Sequence, residues 1–257
     1  MADFATHLGW GAVGAGLGAS ATYAADIVPA GHLMTLTLAG VIGSVLPDID
    51  LEKAVPSRLL FTGLGLFFAF LVMFNFASSY SILELWIIWL GVFAAIRYGA
   101  FHIFHRNAVH RGVFHSILAA VFFMAATAVI CAYGLGLASV VSWMAGLFIF
   151  FGFLIHLILD EVYAVDFTGA RLKRSFGSAL KLFEYDSPGS SALMAGALLA
   201  LLLISPPSAE FRSIMQPSQV TEFFRERMLP QNGWFKGRTA QAAVKISEAR
   251  IPGSDVR

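Results

Sequence analysis

Four long apolar runs set the main limit on how this chain can fold. They cover residues 59–77, 82–96, 113–133 and 139–159. An α-helix needs roughly 17–25 mostly apolar residues to cross about 30 Å of hydrocarbon, and most of these runs have that length. Backbone groups in lipid must be hydrogen-bonded within their own segment, so helices are expected. The sequence therefore predicts an all-α, polytopic membrane protein built as a transmembrane helical bundle.

The composition agrees with a membrane protein. Of the 257 residues, 58% are hydrophobic and 13% are charged, whereas soluble domains average about 25% charged residues. The net charge of +1 gives no sign of nucleic-acid binding. The first residues include an acidic side chain where a secretory signal would place Lys or Arg, so we expect no cleaved signal peptide. The single cysteine, Cys131, lies in an apolar run and predicts a packing role.

Three weaker apolar segments raise the predicted number of membrane segments to six or seven. Segment 9–25 is rich in glycine and segment 32–47 ends at a proline, which fits helices packed closely inside a bundle. Segment 191–205 is short for a full crossing. Residues 1–205 are therefore expected to form a membrane-embedded domain, and residues 206–257 a short polar C-terminal tail.

Basic residues predict the orientation in the membrane. If the first six segments alternate in direction, the three basic loops all face one side, and the positive-inside rule assigns that side to the cytoplasm. The intervening loops at 78–81 and 134–138 carry no charge. The basic residues concerned are Lys53, Arg58, Arg97, Arg106, Arg111, Arg171, Lys173, Arg174 and Lys181.

Seven ionisable side chains lie at segment ends on this same predicted face. They are His7, Asp48, Asp50, His110, His115, His156 and Asp160. His156 and Asp160 are four residues apart, so they share one helix face. The two aspartates follow a proline, where irregular backbone would let both carboxylates converge, and His115 is expected on the first turn of a helix. Ionisable residues in membrane segments indicate function by default.

These side chains predict a metal centre. Imidazole and carboxylate ligands together suit zinc, iron, manganese or nickel, and catalytic zinc commonly has three protein ligands and a water. Seven candidate ligands exceed one site, so we expect two or more divalent ions, zinc first, with manganese and iron as alternatives. Such centres activate water for phosphoester hydrolysis. Arg111 would hold an anionic substrate oxygen, and Asp50 or Glu161 would act as the general base.

Other interpretations of the same residues stay open. The Asp48 and Asp50 pair could be a solvated helix stop, and His156 and Asp160 could be an interhelical hydrogen-bonded pair. The remaining histidines, His32, His102 and His105, are expected to be interfacial caps. The chain could also be an ion or metal transporter, or a non-catalytic scaffold that binds a regulator. Clustering at one face favours an enzyme, because a permeation path needs polar groups at several depths.

Four motifs resemble those of a known family. They are TH at 6–7, GSVLPDID at 43–50, HRGVFHS at 110–116 and HLILD at 156–160. Their order and spacing are similar to those of the LexA-binding, inner-membrane-associated metal-dependent hydrolases, and the resemblance covers about residues 1–185. Family members read HRGxTHS at the third motif, so Phe114 here replaces a threonine without removing a predicted ligand. The segment after Asp160 departs from the family, which leaves the substrate open.

The resemblance implies a multi-pass protein of the bacterial inner membrane with hydrolase activity. Together with the predicted centre, it leads to a membrane-bound hydrolase that acts on an ester, in the first place a phosphoester. The location alone suggests an amphiphilic or lipid substrate at the cytoplasmic face, with membrane lipid as the main partner. The sequence gives no indication of the oligomeric state.

Overall fold

The structure is a computed structural model that describes residues 2–50, 54–107, 112–166, 171–172 and 180–223. The side chains of residues 50, 107, 165, 166, 171 and 172 are not described. The chain divides into two compact units, Met1–Phe211 and Arg212–Arg257. The candidate centre and every helix that builds it belong to the first unit.

The described chain is helical. The helices are α1 (Phe4–Ala24), α2 (Leu33–Gly43), α3 (Val55–Asn75), α4 (Ile82–Ala94), α5 (Phe101–Asn107), α6 (Ile117–Val129), α7 (Ser139–Val162), α8 (Pro188–Ile204), α9 (Ala209–Ile214) and α10 (Pro217–Phe223). Short 3-10 helices occupy Ala30–His32 and Leu46–Asp50, and π-helical turns occupy Ala95–Ala100 and Ile130–Gly134. Two-residue strands β1 (Val165–Asp166) and β2 (Arg171–Leu172) pair antiparallel. Apart from this ladder, the expected all-α fold is confirmed.

Four helical stretches in the described chain are long and apolar enough to cross a membrane. They are Val55–Asn75, Ile82–Arg106, Ile117–Gly134 and Ser139–Val162. The predicted count of six to seven spans is not confirmed. Helix α2 has 11 residues and α8 has 17, which at about 1.5 Å per residue is shorter than a typical hydrocarbon core.

Helix α7 is the centre of the bundle. More than half of its residues are buried, and it packs against α1, α2 and α6. Glycine allows α2 to come close: a Cβ atom added at Gly152 would lie 2.0 Å from the Gly40 carbonyl oxygen, and one at Gly43 would lie 2.3 Å from the Ile149 carbonyl oxygen. This close packing brings the end of α2 alongside the second half of α7.

Helices α3 and α4 form a hairpin beside this bundle. They pack on one another, and α3 also packs on the 3-10 helix Leu46–Asp50. No residue of α4 is buried, and its apolar side chains, such as Trp86 and Ile87, are largely exposed. The exposed apolar surface suits contact with lipid, and the Leu46–Asp50 turn is where the hairpin meets the bundle.

Candidate metal centre

The first candidate ligand lies in the first turns of α1. Asp3 caps this helix by accepting a hydrogen bond from the Thr6 main-chain N–H at 2.7 Å, a preferred arrangement at a helix start. Hydrogen bonds from the Thr6 hydroxyl and N–H lower the pKa of Asp3. One turn further on, the His7 side chain is turned inward and is only 1% exposed.

Asp48 lies in the Leu46–Asp50 turn that follows α2. This turn is a regular 3-10 helix, so the expectation of irregular backbone here is wrong. Pro47 is the second residue of the turn, where no main-chain N–H is needed, and Ile49 is buried at 4% exposure. The Asp48 side chain is 13% exposed, while the other four described candidates are 0–1% exposed.

His115 precedes α6 instead of lying on its first turn, which corrects the sequence expectation. The helix begins at Ile117, and Ser116 is its N-cap: the Ser116 hydroxyl donates to the Val113 carbonyl at 2.6 Å and accepts from the Ala119 N–H at 3.2 Å. The His115 N–H donates to the Gly112 carbonyl at 3.1 Å. Ser116 therefore fixes the turn that places His115 in the interior.

A second segment holds the start of α6. The N–H groups of Ile117 and Leu118 donate to the carbonyls of Lys181 and Leu182 at 2.9 and 3.0 Å. Lys181 in turn donates to the Glu184 carboxylate. Burial raises the pKa of Glu184, but the hydrogen bond from Lys181, the main-chain N–H groups of Asp186 and Tyr185 and the charge of Lys181 together outweigh it, so the net shift is downward.

His156 and Asp160 lie on α7 and are fully buried. Their shared helix face, predicted from the four-residue spacing, is confirmed. The His156 Nδ1–H donates to the Ser44 carbonyl at 2.9 Å, which leaves Nε2 as the atom that can bind a ligand. The Ala2 main-chain N–H donates to Asp160 Oδ1 at 3.2 Å. Both side chains are thus oriented by main-chain groups from other elements.

The five side chains meet in two groups of potential ligand atoms. One group is His7, His156 and Asp160; the other is Asp48, His115 and His156; within each group the atoms lie within 4.8 Å of one another. The Nε2 of His7 is 3.4 Å from Asp160 Oδ1. Asp48 Oδ1 is 3.6 Å from the Nε2 of His156 and 3.9 Å from the Nε2 of His115.

These distances fit side chains that share a cation. With metal–ligand bonds of about 2.0–2.2 Å, neighbouring ligand atoms around a tetrahedral ion lie about 3.3–3.6 Å apart. The His7–Asp160 and Asp48–His156 distances of 3.4 and 3.6 Å match this range, and the Asp48–His115 distance of 3.9 Å is slightly longer. The chemistry of the pocket points the same way. His156 Nε2 is buried and has no hydrogen-bond partner within the described chain, and an unsatisfied buried polar atom is destabilising. A divalent cation would satisfy it.

The geometry limits how many ions the described residues could bind. His156 belongs to both groups, but its Nδ1 is bonded to the Ser44 carbonyl, so it offers one nitrogen only. Two ions would therefore need a bridging carboxylate, from Asp48 or Asp160, or further ligands. The predicted ligands that could supply them are not described here: His110 lies outside the described residues, as does Arg111, and of Asp50 only the backbone is described.

Glu161, a predicted general base, follows Asp160 on α7 and is partly exposed. It belongs to neither group of ligand atoms.

The composition of α7 bears on the transporter alternative. Its buried residues from Val140 to Phe153 are apolar or glycine except Ser142. The Ser142 hydroxyl donates to the Ala138 carbonyl at 3.0 Å. The described part of α7 thus carries no ladder of ionisable groups away from the centre.

Sequence reasoning missed the main-chain contacts of the centre and one histidine. The carbonyl of Ser44 and the N–H of Ala2 carry no side-chain signature. His105, expected to be an interfacial cap, hydrogen-bonds Ser57 and the Ile49 carbonyl instead. His102, three residues earlier, is exposed as expected.

The fold and this centre define a class of protein: a multi-pass helical membrane protein with a buried histidine–carboxylate cluster at the ends of its helices. The chain belongs to the YdjM inner membrane protein family, whose profile matches residues 1–206. The predicted location, a multi-pass protein of the inner membrane, is confirmed. The family match does not extend to LexA binding or hydrolysis, which the motifs alone implied. No curated protein and no solved structure matches the chain.

Proposed function

We propose that this protein is a metal-dependent hydrolase of the inner membrane. One observation carries the proposal: five ionisable side chains converge on one spot, from the start of α1, the turn after α2, the turn before α6 and the end of α7. Four of them are buried at 0–1% exposure. Ionisable groups are expensive at such positions, and binding a cation is the most direct way to compensate.

The described residues that would hold one or more divalent ions are His7, Asp48, His115, His156 and Asp160. A divalent cation bound there supplies Lewis acidity, which lowers the pKa of water and polarises a phosphoryl or carbonyl oxygen. The main-chain contacts of His156 and Asp160 keep those two side chains in one orientation, as partners of ligands do in known metal sites. Zinc comes first among the ions, with manganese and iron as alternatives.

Access to the centre runs by way of Asp48. It is the most exposed of the five candidates, and it lies in the turn where the α3–α4 hairpin meets the bundle. Water and the reacting bond of a substrate would approach from this direction. Proton abstraction by Asp50 or Glu161 and charge compensation by Arg111 remain part of the proposal.

The substrate we propose is an amphiphile with an ester bond, in the first place a phosphoester lipid, cleaved at the cytoplasmic face. An open groove of about 480 Å³ supports this choice. Its walls come from α6, α8 and the residues just before α8, including Ile117, Leu118, Leu182, Phe183 and Ala195. These residues are apolar, and the wall begins two positions after His115. An acyl chain would fit here with its headgroup near the centre.

The test is hydrolysis of defined lipids by purified full-length protein. We would incubate zinc-loaded or manganese-loaded protein with vesicles of mixed phospholipids and follow products by mass spectrometry. Asp160→Asn should abolish product formation, because the amide loses the charge that binds the cation. The matched control is Asp26→Asn, at an exposed residue with a positive φ of 55° that asparagine tolerates well. Equal activity of Asp160→Asn and wild type would contradict the proposal.

A further inference from the structure

His105 makes three polar contacts near the end of α5. Its Nδ1 lies 2.8 Å from the Phe101 carbonyl oxygen, and its Nε2 lies 2.8 Å from Ser57 Oγ and 3.2 Å from the Ile49 carbonyl oxygen. Carbonyl oxygens only accept hydrogen bonds, and an imidazole tautomer has a single N–H, so the tautomer with its hydrogen on Nε2 is the one that donates to the Ile49 carbonyl. One imidazole thereby joins α5, α3 and the Leu46–Asp50 turn.

The surroundings hold this ring in place. Ser57 is fully buried on α3. The Phe61 and Phe101 rings lie with their centroids 5.9 and 4.2 Å from that of His105, and Phe104 lies at 5.1 Å. An interfacial cap would point its ring to water, whereas this ring is packed among aromatic side chains with its nitrogen atoms directed at protein groups.

The contact with Ile49 bears on the candidate centre. Ile49 directly follows Asp48, and the two share one short 3-10 helix of five residues. Asp48 Oδ1 must reach toward the Nε2 atoms of both His115 and His156, at 3.9 and 3.6 Å. A shift of the backbone at Ile49 would change both distances, because a turn this short has no independent rigidity.

We propose that His105 is a positioning residue for Asp48: by donating to the Ile49 carbonyl it fixes the turn that presents this carboxylate to the metal centre. The inference rests on the proposed metal centre and extends it with a residue outside the ligand set. Hydrogen-bond partners that orient metal ligands commonly change metal affinity by about 10–100-fold when they are removed.

The experiment measures zinc affinity of the full-length protein in detergent by competition with a chelating dye. His105→Phe keeps an aromatic ring but removes both ring nitrogens, and with them the donor to the Ile49 carbonyl, and should weaken zinc binding by about tenfold or more. His105→Gln keeps an N–H donor and should recover part of that loss. The matched control is His102→Phe, on the same helix at an exposed position, and it should bind zinc as wild type does.

A double-variant cycle separates positioning from a general loss of structure. In an Asp48→Asn background, where the positioned carboxylate is gone, His105→Phe should add less than about twofold, because coupled residues are not additive. An equal loss in both backgrounds would overturn the inference. If His105→Phe does not fold, Ser57→Ala removes the hydroxyl beside the same nitrogen and should show a smaller loss; unchanged affinity there would overturn it too.

The outcomes for the two proposals are distinct. Wild-type protein that binds no zinc, manganese or iron would overturn the metal centre and, with it, the role of His105. Wild-type protein that binds zinc while His105→Phe binds equally well would overturn only the positioning role and leave the proposed hydrolase standing.

Discussion

His7 and His156 lie stacked, with ring centroids 3.7 Å apart and ring planes 12° apart. One comes from the start of α1 and the other from near the end of α7, so the stack joins two elements that are far apart in sequence. Both rings belong to the group of potential ligand atoms that also contains Asp160. Neutral imidazole is the form that binds a metal, so the stack suits a pair of ligands.

The stack predicts a variant that separates packing from ligand chemistry. His7→Phe keeps an aromatic ring against His156 but removes the nitrogen 3.4 Å from Asp160 Oδ1. We expect zinc affinity to fall by at least about tenfold, with little change in the thermal unfolding midpoint of the metal-free protein. Competition with a chelating dye and a thermal melt in detergent measure the two effects. Unchanged affinity would show that His7 is only a packing residue.

The contact between α2 and α7 predicts a large effect from one methyl group. In Gly152→Ala the new Cβ would lie 2.0 Å from the Gly40 carbonyl oxygen and 2.8 Å from the Ser44 nitrogen. The helices must separate, at about 1–3 kcal/mol for overpacking, and the Ser44 carbonyl should move away from His156. We expect a lower unfolding midpoint together with weaker metal binding.

Gly63→Ala on α3 is the control for this substitution. A Cβ at Gly63 meets nothing within 4 Å, and alanine favours a helix over glycine by about 1 kcal/mol. This variant should be neutral or slightly stabilising and should bind metal as wild type does. If both substitutions destabilise the protein similarly, the close contact between α2 and α7 is not the reason for glycine at position 152.

The ion pair of Lys181 and Glu184 predicts a pH effect on stability. The pKa of Glu184 is lowered below its ordinary value of 4.5, so its stabilising contribution is full above about pH 4.5 and is lost as the pH falls through the lower folded-state pKa. In Glu184→Gln this contribution is absent at every pH. The difference in unfolding midpoint between wild type and variant should therefore shrink as the pH falls below 4.5; a constant difference would contradict the assigned shift.

The contacts of Trp143 predict where the C-terminal residues can be removed. Its indole N–H donates to the Pro206 carbonyl at 3.0 Å, and its ring stacks on Phe211 with centroids 5.7 Å apart. Truncation after Phe211 should preserve stability and lipid hydrolysis. Truncation after Ser205 removes both contacts and should lower the free energy of unfolding by about 1–3 kcal/mol. Loss of hydrolysis on truncation after Phe211 would contradict this prediction.

Much of the fold could be predicted because helices that cross lipid need long apolar runs, and such runs are visible in the sequence. Apolar runs mark the four long helical stretches, since each must satisfy its own backbone; these are Val55–Asn75, Ile82–Arg106, Ile117–Gly134 and Ser139–Val162. The number of crossings could not be predicted in this way. Helices α2 and α8 are short apolar segments, and whether such segments cross depends on packing against neighbours that periodicity does not record.

Some features of the candidate centre could be predicted from the sequence and others could not. The convergence of His7, His115 and His156 followed from their positions at the ends of alternating segments. The tautomer of His156 did not, because it is fixed by the Ser44 carbonyl, and main-chain groups are the same in every residue. The role proposed for His105 was hidden for a related reason: it acts on the backbone of Ile49, so no spacing of ligand-type residues marks it.

Metal content is the measurement that tests the central claim most directly. Full-length protein purified in detergent would be compared by plasma mass spectrometry with a His115→Ala/His156→Ala variant and with His102→Ala as the matched control. The account predicts about one or more equivalents of zinc, manganese or iron in wild type and in His102→Ala, and loss of the metal in the double variant. Folded wild-type protein that stays metal-free after incubation with these ions would contradict it.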